Sequence, residues 1–100
     1  MSKIFIIILR YVKPIEEIDA LRPEHLKYLD KYYASGHFQA SGMQNPRTGG
    51  VIICKAESRR EVLDIIEEDN FNKAGAAEYQ VFEFTPNKFS EGFKAVIDAL

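Results

Sequence analysis

The segment Lys3–Val12 (KIFIIILRYV) contains the longest uninterrupted apolar run of the chain, which extends from Ile4 to Leu9. Four of these six residues are isoleucine, and β-branched side chains favour strands. A continuous rather than alternating apolar pattern is typical of a central strand that is covered on both faces. Pro14 ends the segment. We therefore expect the sheet of this protein to be built around Lys3–Val12, with apolar side chains on both faces.

The composition is that of a globular protein and argues against several kinds of partner. Of the 100 residues, 46% are hydrophobic, and 13 basic against 15 acidic residues give a net charge of −2. This length predicts a single domain over residues 1–100. No basic cluster is present for nucleic acid or an anionic membrane surface, and the apolar run is far too short to span a membrane. The absence of a recognisable signal segment predicts a cytoplasmic location.

The remaining elements follow from apolar periodicity and from turn and cap signals. Pro23 suits the first turn of a helix, which predicts that the first helix begins at Leu21 or Arg22 and that Ile15 to Ala20 form a connection. Ser58 and Glu61 form a capping-box pattern. After the first strand, the predicted order is a helix at Leu21–Ser35, strands at His37–Met43 and Val51–Ala56, a helix from Ser58 to about Asp69, a strand at Glu78–Thr85 and a C-terminal helix at Phe89–Leu100.

Both main helices carry apolar stripes that are predicted to face the sheet. The stripe of the second helix consists of Val62, Leu63 and Ile66. The stripe of the first helix consists of Leu26, Leu29 and Tyr33. A second set of apolar side chains widens it, namely Leu21, Tyr28 and Tyr32. Because both sets flank His25, this imidazole is expected to point toward the sheet rather than toward bulk water.

The order of elements is the ferredoxin-like plan of α+β proteins, βαββαβ. Right-handed crossovers place both helices on one face of a four-stranded antiparallel sheet. The other face then retains apolar residues of the first, third and fourth strands, a kind of surface that soluble monomers rarely expose. We therefore expect a homodimer that forms through the open sheet faces. The alternative is that the extra C-terminal helix folds over this face within one copy.

His25 is the leading candidate for chemistry. Imidazole titrates near neutral pH, and a carboxylate on one ring nitrogen makes the other a better base. Asp69, at the end of the second helix, is the candidate carboxylate, but spacing alone does not show that the two residues meet. Arg22 lies one turn from His25, where it suits either an anionic substrate group or a surface ion pair. A helix histidine that only bonds a backbone carbonyl is the competing interpretation.

Other chemistry has little support in the sequence. Because no acid lies at metal-ligand spacing between His25 and His37, no metal site is predicted. His37 is interpreted as an exposed turn residue. Gly49-Gly50 lacks the following Lys-Ser/Thr of a phosphate loop, and Ser41-Gly42 lacks the context of a nucleophile elbow. Nothing in the sequence demands a cofactor, and none is predicted.

Four motifs resemble the YciI-like (YCII-related) family over most of the chain: Arg22-Pro23-x-His25-Leu26, Ser41-Gly42, Asp69-Asn70-Phe71 and Ala74-Gly75. The resemblance implies a dimeric α+β barrel, in which ferredoxin-like protomers pair through their sheets. It implies a His-Asp active-site pair, here His25 and Asp69, with Arg22, Ser41, Gly42 and Phe71 around the substrate. Asn70 stands where the family usually has proline, a residue that disfavours the helical conformation at the preceding position.

The residues and the resemblance together suggest a small enzyme without a cofactor. In this hypothesis His25, polarised by Asp69, is a general acid/base in lyase-, isomerase- or dehalogenase-like chemistry on a small ring, enol or phenol compound that Arg22 holds. The alternative is a non-catalytic dimer that binds a small ligand or has a regulatory role. A third interpretation is a structural dimer with a vestigial pocket. The feature that favours it is Asn70, which stands in place of the family's usual proline.

Overall fold

The centre of the molecule is a four-stranded antiparallel sheet in the order β2-β3-β1-β4, seen in a computed structural model that describes residues 2–100. Strand β1 (Lys3–Tyr11) pairs with β3 (Gly49–Ala56) on one side and with β4 (Ala77–Phe84) on the other, and β2 (Phe38–Met43) forms an edge. The predicted ferredoxin-like plan and the central position of the first strand are therefore confirmed.

The helices are α1 (Ile15–Ala34), α2 (Arg59–Glu67), the single turn α3 (Asn70–Lys73) and α4 (Lys94–Asp98). The predicted start of the first helix was wrong, because α1 begins at Ile15 and contains Pro23 in its interior. A proline inside a helix costs about 3 kcal/mol or more. The added turn buries Ile18 completely, which is worth about 1.5–3 kcal/mol and offsets much of that cost. Glu16 and Glu17 also place negative charge in the first turn of the helix, where the macrodipole favours it.

Two further boundaries differ from the prediction. Strand β3 begins at Gly49 rather than Val51, because the ladder with β1 extends to the pair Arg10–Gly49. The C-terminal segment is a 3₁₀ turn at Glu91–Phe93 followed by the short α4, not a helix over Phe89–Leu100. Ser90 caps the turn by accepting a hydrogen bond from the backbone N–H of Phe93, so the helical geometry begins only after this residue.

The helices cover one face of the sheet, and only part of the predicted surface of α1 is buried. Tyr28 and Tyr32 are buried as predicted, together with Ile18 at helical spacing, whereas Leu26 and Tyr33 are 44% and 39% exposed. His25, with its side chain 13% exposed, lies on the buried stripe. In α2 the buried residues are Val62, Ile65 and Ile66, whereas Leu63, which was predicted to be buried, is exposed.

The opposite face of the sheet is apolar and only partly covered. Ile6, Ile8 and Ile53 are half-buried there, while Phe82 and Phe84 are 49% and 44% exposed. The C-terminal segment reaches one end of this face, where Ile97 and Leu100 line a groove with Ile4 and Phe84. Within residues 2–100, no helix is both long and apolar enough to cross a membrane.

Replacing Gly49 by alanine is expected to destabilise the protein, because the new Cβ would lie 1.8 Å from the backbone oxygen of Leu9. Backbone atoms of a central strand pair cannot move aside as a flexible side chain can. The free energy of unfolding is expected to fall by roughly 1–3 kcal/mol, the usual cost of overpacking, in urea denaturation. Gly42→Ala is the matched control, since a Cβ added at Gly42 would meet no atom within 4 Å. Equal stability of the two variants would contradict the close β1–β3 approach.

Candidate active site

A pocket of about 270 Å³ lies between α1 and the sheet. Its walls are mainly apolar and include Leu9, Leu29 and Ile52. The structure brings five of the six residues predicted for the site to this pocket, namely Arg22, His25, Ser41, Gly42 and Phe71. The sixth, Asp69, lies behind His25, fully buried.

The side chains of His25 and Asp69 are joined by a hydrogen bond. His25 Nδ1 lies 2.8 Å from Asp69 Oδ1. Because a carboxylate only accepts hydrogen bonds, Nδ1 is the donor in this contact, and in the neutral imidazole Nε2 then has the free lone pair. Within residues 2–100, Nε2 has no hydrogen-bond partner. The imidazole therefore presents a basic nitrogen with a carboxylate on its opposite side, the arrangement of a general base.

The turn after α2 explains how Asp69 reaches His25. Asp69 is the N-cap of α3, with an extended backbone at φ −71° and ψ 126°, the conformation that a following proline would favour. Asp69 adopts this pose with asparagine at position 70, because its carboxylate accepts from the backbone N–H of Phe71, as an N-cap side chain does. The side-chain Nδ2 of Asn70 donates to the backbone oxygen of Leu21 at 2.9 Å and so ties α3 to α1.

Three donors compensate for the burial of the Asp69 carboxylate. Oδ1 accepts from His25 Nδ1 and from the backbone N–H of Phe71, the latter at 3.1 Å. Oδ2 accepts from the hydroxyl of Tyr79 at 2.7 Å. Buried charges in proteins require such partners. Burial and the nearby negative charge of Asp69 raise the pKa of Tyr79, so its hydroxyl remains a donor.

Tyr79 is a site residue that the sequence reasoning missed. It lies in β4 on the face toward the helices, together with Val81, and packs against the buried core. The alternation of side chains along a strand indicates which face Tyr79 occupies. It does not indicate that the hydroxyl is close to Asp69, because the two residues belong to different elements.

Aromatic packing holds the imidazole in one orientation. The ring of Phe71 stacks on that of His25 with centroids 4.1 Å apart and planes 12° apart. The edge of Tyr11 packs against Phe71 in turn, at 5.9 Å. Stacking on one side and the Asp69 bond at Nδ1 leave the imidazole little freedom to rotate. The Asp69–Phe71 motif therefore supplies both the carboxylate and the supporting ring.

Arg22 provides a positive charge at the pocket. The predicted alternative was a surface ion pair, but Asp19, the acid one turn earlier, bonds Arg47 at 2.5 Å. That bond lowers the pKa of Asp19. The guanidinium of Arg22 donates to the sulfur of Met43 at 3.4 Å. It forms no direct salt bridge within residues 2–100, although its charge also helps to lower the pKa of Asp19. A cation beside an apolar pocket suits an anionic ligand group.

Ser41 and Gly42 form part of the pocket wall on edge strand β2. Ser41 Oγ shares a hydrogen bond of 2.6 Å with the hydroxyl of Tyr33 in α1. Tyr33 itself is not part of the pocket wall, and it is 39% exposed rather than packed in the core. The Tyr33–Ser41 bond links α1 to β2 beside the pocket.

The family model of the YCII-related domain matches residues 4–85. The chain belongs to the YCII-related domain family. This assignment confirms the resemblance found in the sequence, and the 3₁₀ turn and α4 lie beyond the matched range. A comparison with curated proteins finds no match.

Two solved structures are similar to this member of the family. One is the 5-chloro-2-hydroxyhydroquinone dehydrochlorinase TftG from Burkholderia phenoliruptrix AC1100 in complex with 2,5-dihydroxybenzoquinone, which is 28% identical and has a TM-score of 0.70 over 82% of this chain and 93% of its own. The other is SnoaB, a cofactor-independent oxygenase from Streptomyces nogalater, with 8% identity and a TM-score of 0.50 over 90% of this chain and 97% of its own. The second likeness concerns the fold alone.

Replacing Tyr79 by phenylalanine is expected to lower the free energy of unfolding by about 1–3 kcal/mol, because Asp69 Oδ2 would be buried without its donor. Tyr33→Phe is the matched control, since it also removes one hydroxyl and one hydrogen bond but at an exposed position. Chemical denaturation of both variants provides the measurement. A Tyr79→Phe variant as stable as Tyr33→Phe would show that Tyr79 does not support the carboxylate.

Proposed function

We propose that this protein is an enzyme that uses His25 as a general acid/base, with Asp69 as its partner, on a small hydroxylated ring compound. The observation that carries the proposal is the 2.8 Å bond between His25 Nδ1 and the buried Asp69 carboxylate, which leaves Nε2 free at a pocket. A positioned base of this kind accelerates proton transfer by about 10²–10⁴-fold. No step in the proposed reaction requires a cofactor.

The pocket suits a small, planar and anionic substrate. Its volume of about 270 Å³ is at the lower end of ligand sites, which are commonly about 300–1,000 Å³, so one ring is accommodated better than several. Leu9, Leu29 and Ile52 supply apolar walls. Arg22 is placed to stabilise a phenolate or enolate oxygen, and Ser41 offers a further hydrogen bond.

The proposed reaction is an elimination that proceeds through a keto form. Nε2 of His25 accepts the proton of a ring hydroxyl, and the Asp69 carboxylate stabilises the imidazolium that forms. The imidazolium returns this proton to the ring carbon that carries a halogen, so that a C–H bond and a C=O bond form. Nε2 of His25, free again, then accepts the proton of a second hydroxyl para to the first, and the electrons of that O–H bond move through the ring and expel halide. The net change is loss of one hydrogen halide, with a quinone as product.

The similarity to TftG supports this choice of chemistry. That protein is described as a dehydrochlorinase of a hydroxyhydroquinone and was crystallised with a dihydroxybenzoquinone. At 28% identity over most of both chains, its substrate is a rational first probe for this pocket. The same ring class matches the apolar walls and the positive charge of Arg22.

His25→Ala and Asp69→Asn are expected to lower kcat/KM for chloride release from 5-chloro-2-hydroxyhydroquinone by about 10²–10⁴-fold, the contribution of a positioned base. Arg22→Gln is expected mainly to raise KM, because Arg22 binds the anion without transferring a proton. Lys27→Ala, an exposed change on α1, is the control. Chloride release is measured with purified protein under anaerobic conditions.

Two outcomes would contradict the proposal. One is full turnover by both the His25 and Asp69 variants. The other is binding of 2,5-dihydroxybenzoquinone by the wild-type protein without turnover of any halogenated or enolisable ring, together with loss of binding in Arg22→Gln. The second result would identify a ligand-binding module of the kind considered from the sequence.

The enzyme is further proposed to act as a homodimer formed through the open sheet face. Phe82, Phe84 and Ile53 form an apolar surface there, and the C-terminal segment covers only the end near Ile4. Exposed apolar patches of more than a few hundred Å² usually mark interaction sites. A second copy of the same sheet offers a matching apolar surface.

Phe82→Lys is expected to convert the dimer to a monomer, because a charge would be placed in the centre of the apolar interface. Leu63→Lys, which introduces the same residue at an exposed apolar position of α2, is expected to leave the dimer intact. Sedimentation velocity at micromolar concentration distinguishes the species. A monomeric wild-type protein under these conditions would contradict the proposal.

A further inference from the structure

A second group of reactive side chains lies at the other end of α1. Ser35 caps the C-terminus of α1, His37 precedes β2, and Glu61 lies in the first turn of α2. They line a cavity of about 380 Å³ that shares no residue with the pocket of His25. Ser35 is ten residues beyond His25 in α1, which corresponds to about 15 Å along the helix axis.

The three side chains form a continuous hydrogen-bonded chain. Ser35 Oγ lies 2.6 Å from His37 Nδ1, and His37 Nε2 lies 2.7 Å from Glu61 Oε1. The expectation that His37 is merely an exposed turn residue was therefore wrong. Because the Glu61 carboxylate only accepts, Nε2 carries the proton, and Nδ1 is left to accept from the serine hydroxyl.

The local backbone structure holds Ser35, His37 and Glu61 in hydrogen-bonding positions. Gly36 has a φ of +86° with no atom near a Cβ position, and this left-handed residue turns the chain so that His37 folds back over Ser35. The backbone N–H of Glu61 donates to Ser58 Oγ at 3.2 Å, which fixes the start of α2. The edge of the His37 ring packs against Tyr32 at 5.7 Å. The imidazole is thus held between the two hydrogen bonds.

The surroundings favour transfer of the serine proton to His37. Glu61 stabilises an imidazolium as the acid of a Ser-His-acid triad does. The single proton of the Ser35 hydroxyl has two acceptors within reach, His37 Nδ1 at 2.6 Å and the backbone oxygen of Tyr32 at 3.1 Å. Ser35 is exposed, so a substrate can reach its oxygen.

We infer that Ser35, His37 and Glu61 form a second site, at which Ser35 is a nucleophile toward activated esters of small carboxylic acids. Ser35 Oγ attacks the ester carbonyl carbon while its proton passes to His37 Nδ1. The bond to the leaving oxygen breaks, and the imidazolium gives this proton to the departing phenolate or alkoxide. The product is an ester on Ser35. Water activated by His37 then hydrolyses it, releases the acid and restores the hydroxyl.

The test uses p-nitrophenyl acetate with the full-length protein. Intact mass spectrometry and peptide mapping are expected to find one acetyl group on Ser35, formed with a burst of nitrophenolate. Ser35→Ala is expected to abolish the burst, and His37→Asn to slow it by about 10²-fold, the lower end of a general base's contribution. Ser90→Ala is the matched control, because Ser90 caps a 3₁₀ turn with no histidine at its hydroxyl.

Glu61 is a positioning residue, and its effect is measured separately. Glu61→Gln keeps an oxygen acceptor but loses the charge, so acylation is expected to slow by about tenfold, as for other supporting partners of histidine. Nitrogen NMR of the His37 ring is expected to show the Nε2–H tautomer in the wild-type protein and a mixture of tautomers in Glu61→Ala. If the role of Glu61 were purely structural, the Glu61→Ala change would leave the tautomer of His37 as it is in the wild-type protein.

The outcomes that would overturn the inference are specific. Acetylation confined to lysines or the N-terminus would do so, and so would labelling of Ser35 at the same rate in His37→Asn. Because Ser35 and His37 are not core residues, circular dichroism is expected to show folded variants. If a variant is unfolded, labelling of the wild-type protein by a fluorophosphonate decides the question, since absence of the label from Ser35 contradicts an activated serine.

Discussion

The burial of one negative charge, the Asp69 carboxylate, determines how the layers of this protein are joined. A buried carboxylate is unfavourable unless donors surround it, and here those donors come from α1 through His25, from α3 through the backbone of Phe71, and from β4 through Tyr79. The same contacts that stabilise the charge therefore orient the imidazole. In this site, stabilisation of the fold and orientation of the imidazole depend on the same atoms.

Much of the fold was predictable because it depends on patterns that are local in sequence. The apolar run from Ile4 to Leu9 indicated a central strand, and β1 does pair on both sides. The Ser58–Glu61 pattern located the start of α2, and Ser58 does accept from the Glu61 N–H. The first helix was predicted to end at Ser35, and Ser35 is its C-cap, followed by Gly36 with a positive φ. Each of these signals reflects the chemistry of neighbouring residues.

The parts that the sequence did not predict depend on tertiary contacts. Pro23 was interpreted as a helix start, whereas burial of Ile18 extends α1 to Ile15 and moves His25 to the middle of the helix. The meeting of His25 and Asp69 was left open by spacing, and it depends on how α3 packs against α1, where Asn70 bonds the backbone of Leu21. Tyr79, Ser35 and Glu61 were not considered as reactive or supporting groups, because their partners lie on other elements or beyond a turn.

Nitrogen NMR of the His25 imidazole in the resting protein tests the central claim most directly, because it reports which ring nitrogen carries the proton. We expect a neutral ring with the proton on Nδ1, held by Asp69, and a free Nε2 that responds to added 2,5-dihydroxybenzoquinone. In Asp69→Asn the preference for Nδ1–H is expected to weaken. A wild-type His25 protonated on Nε2, or one whose tautomer is unaffected by the Asp69 change, would contradict the role assigned to this pair.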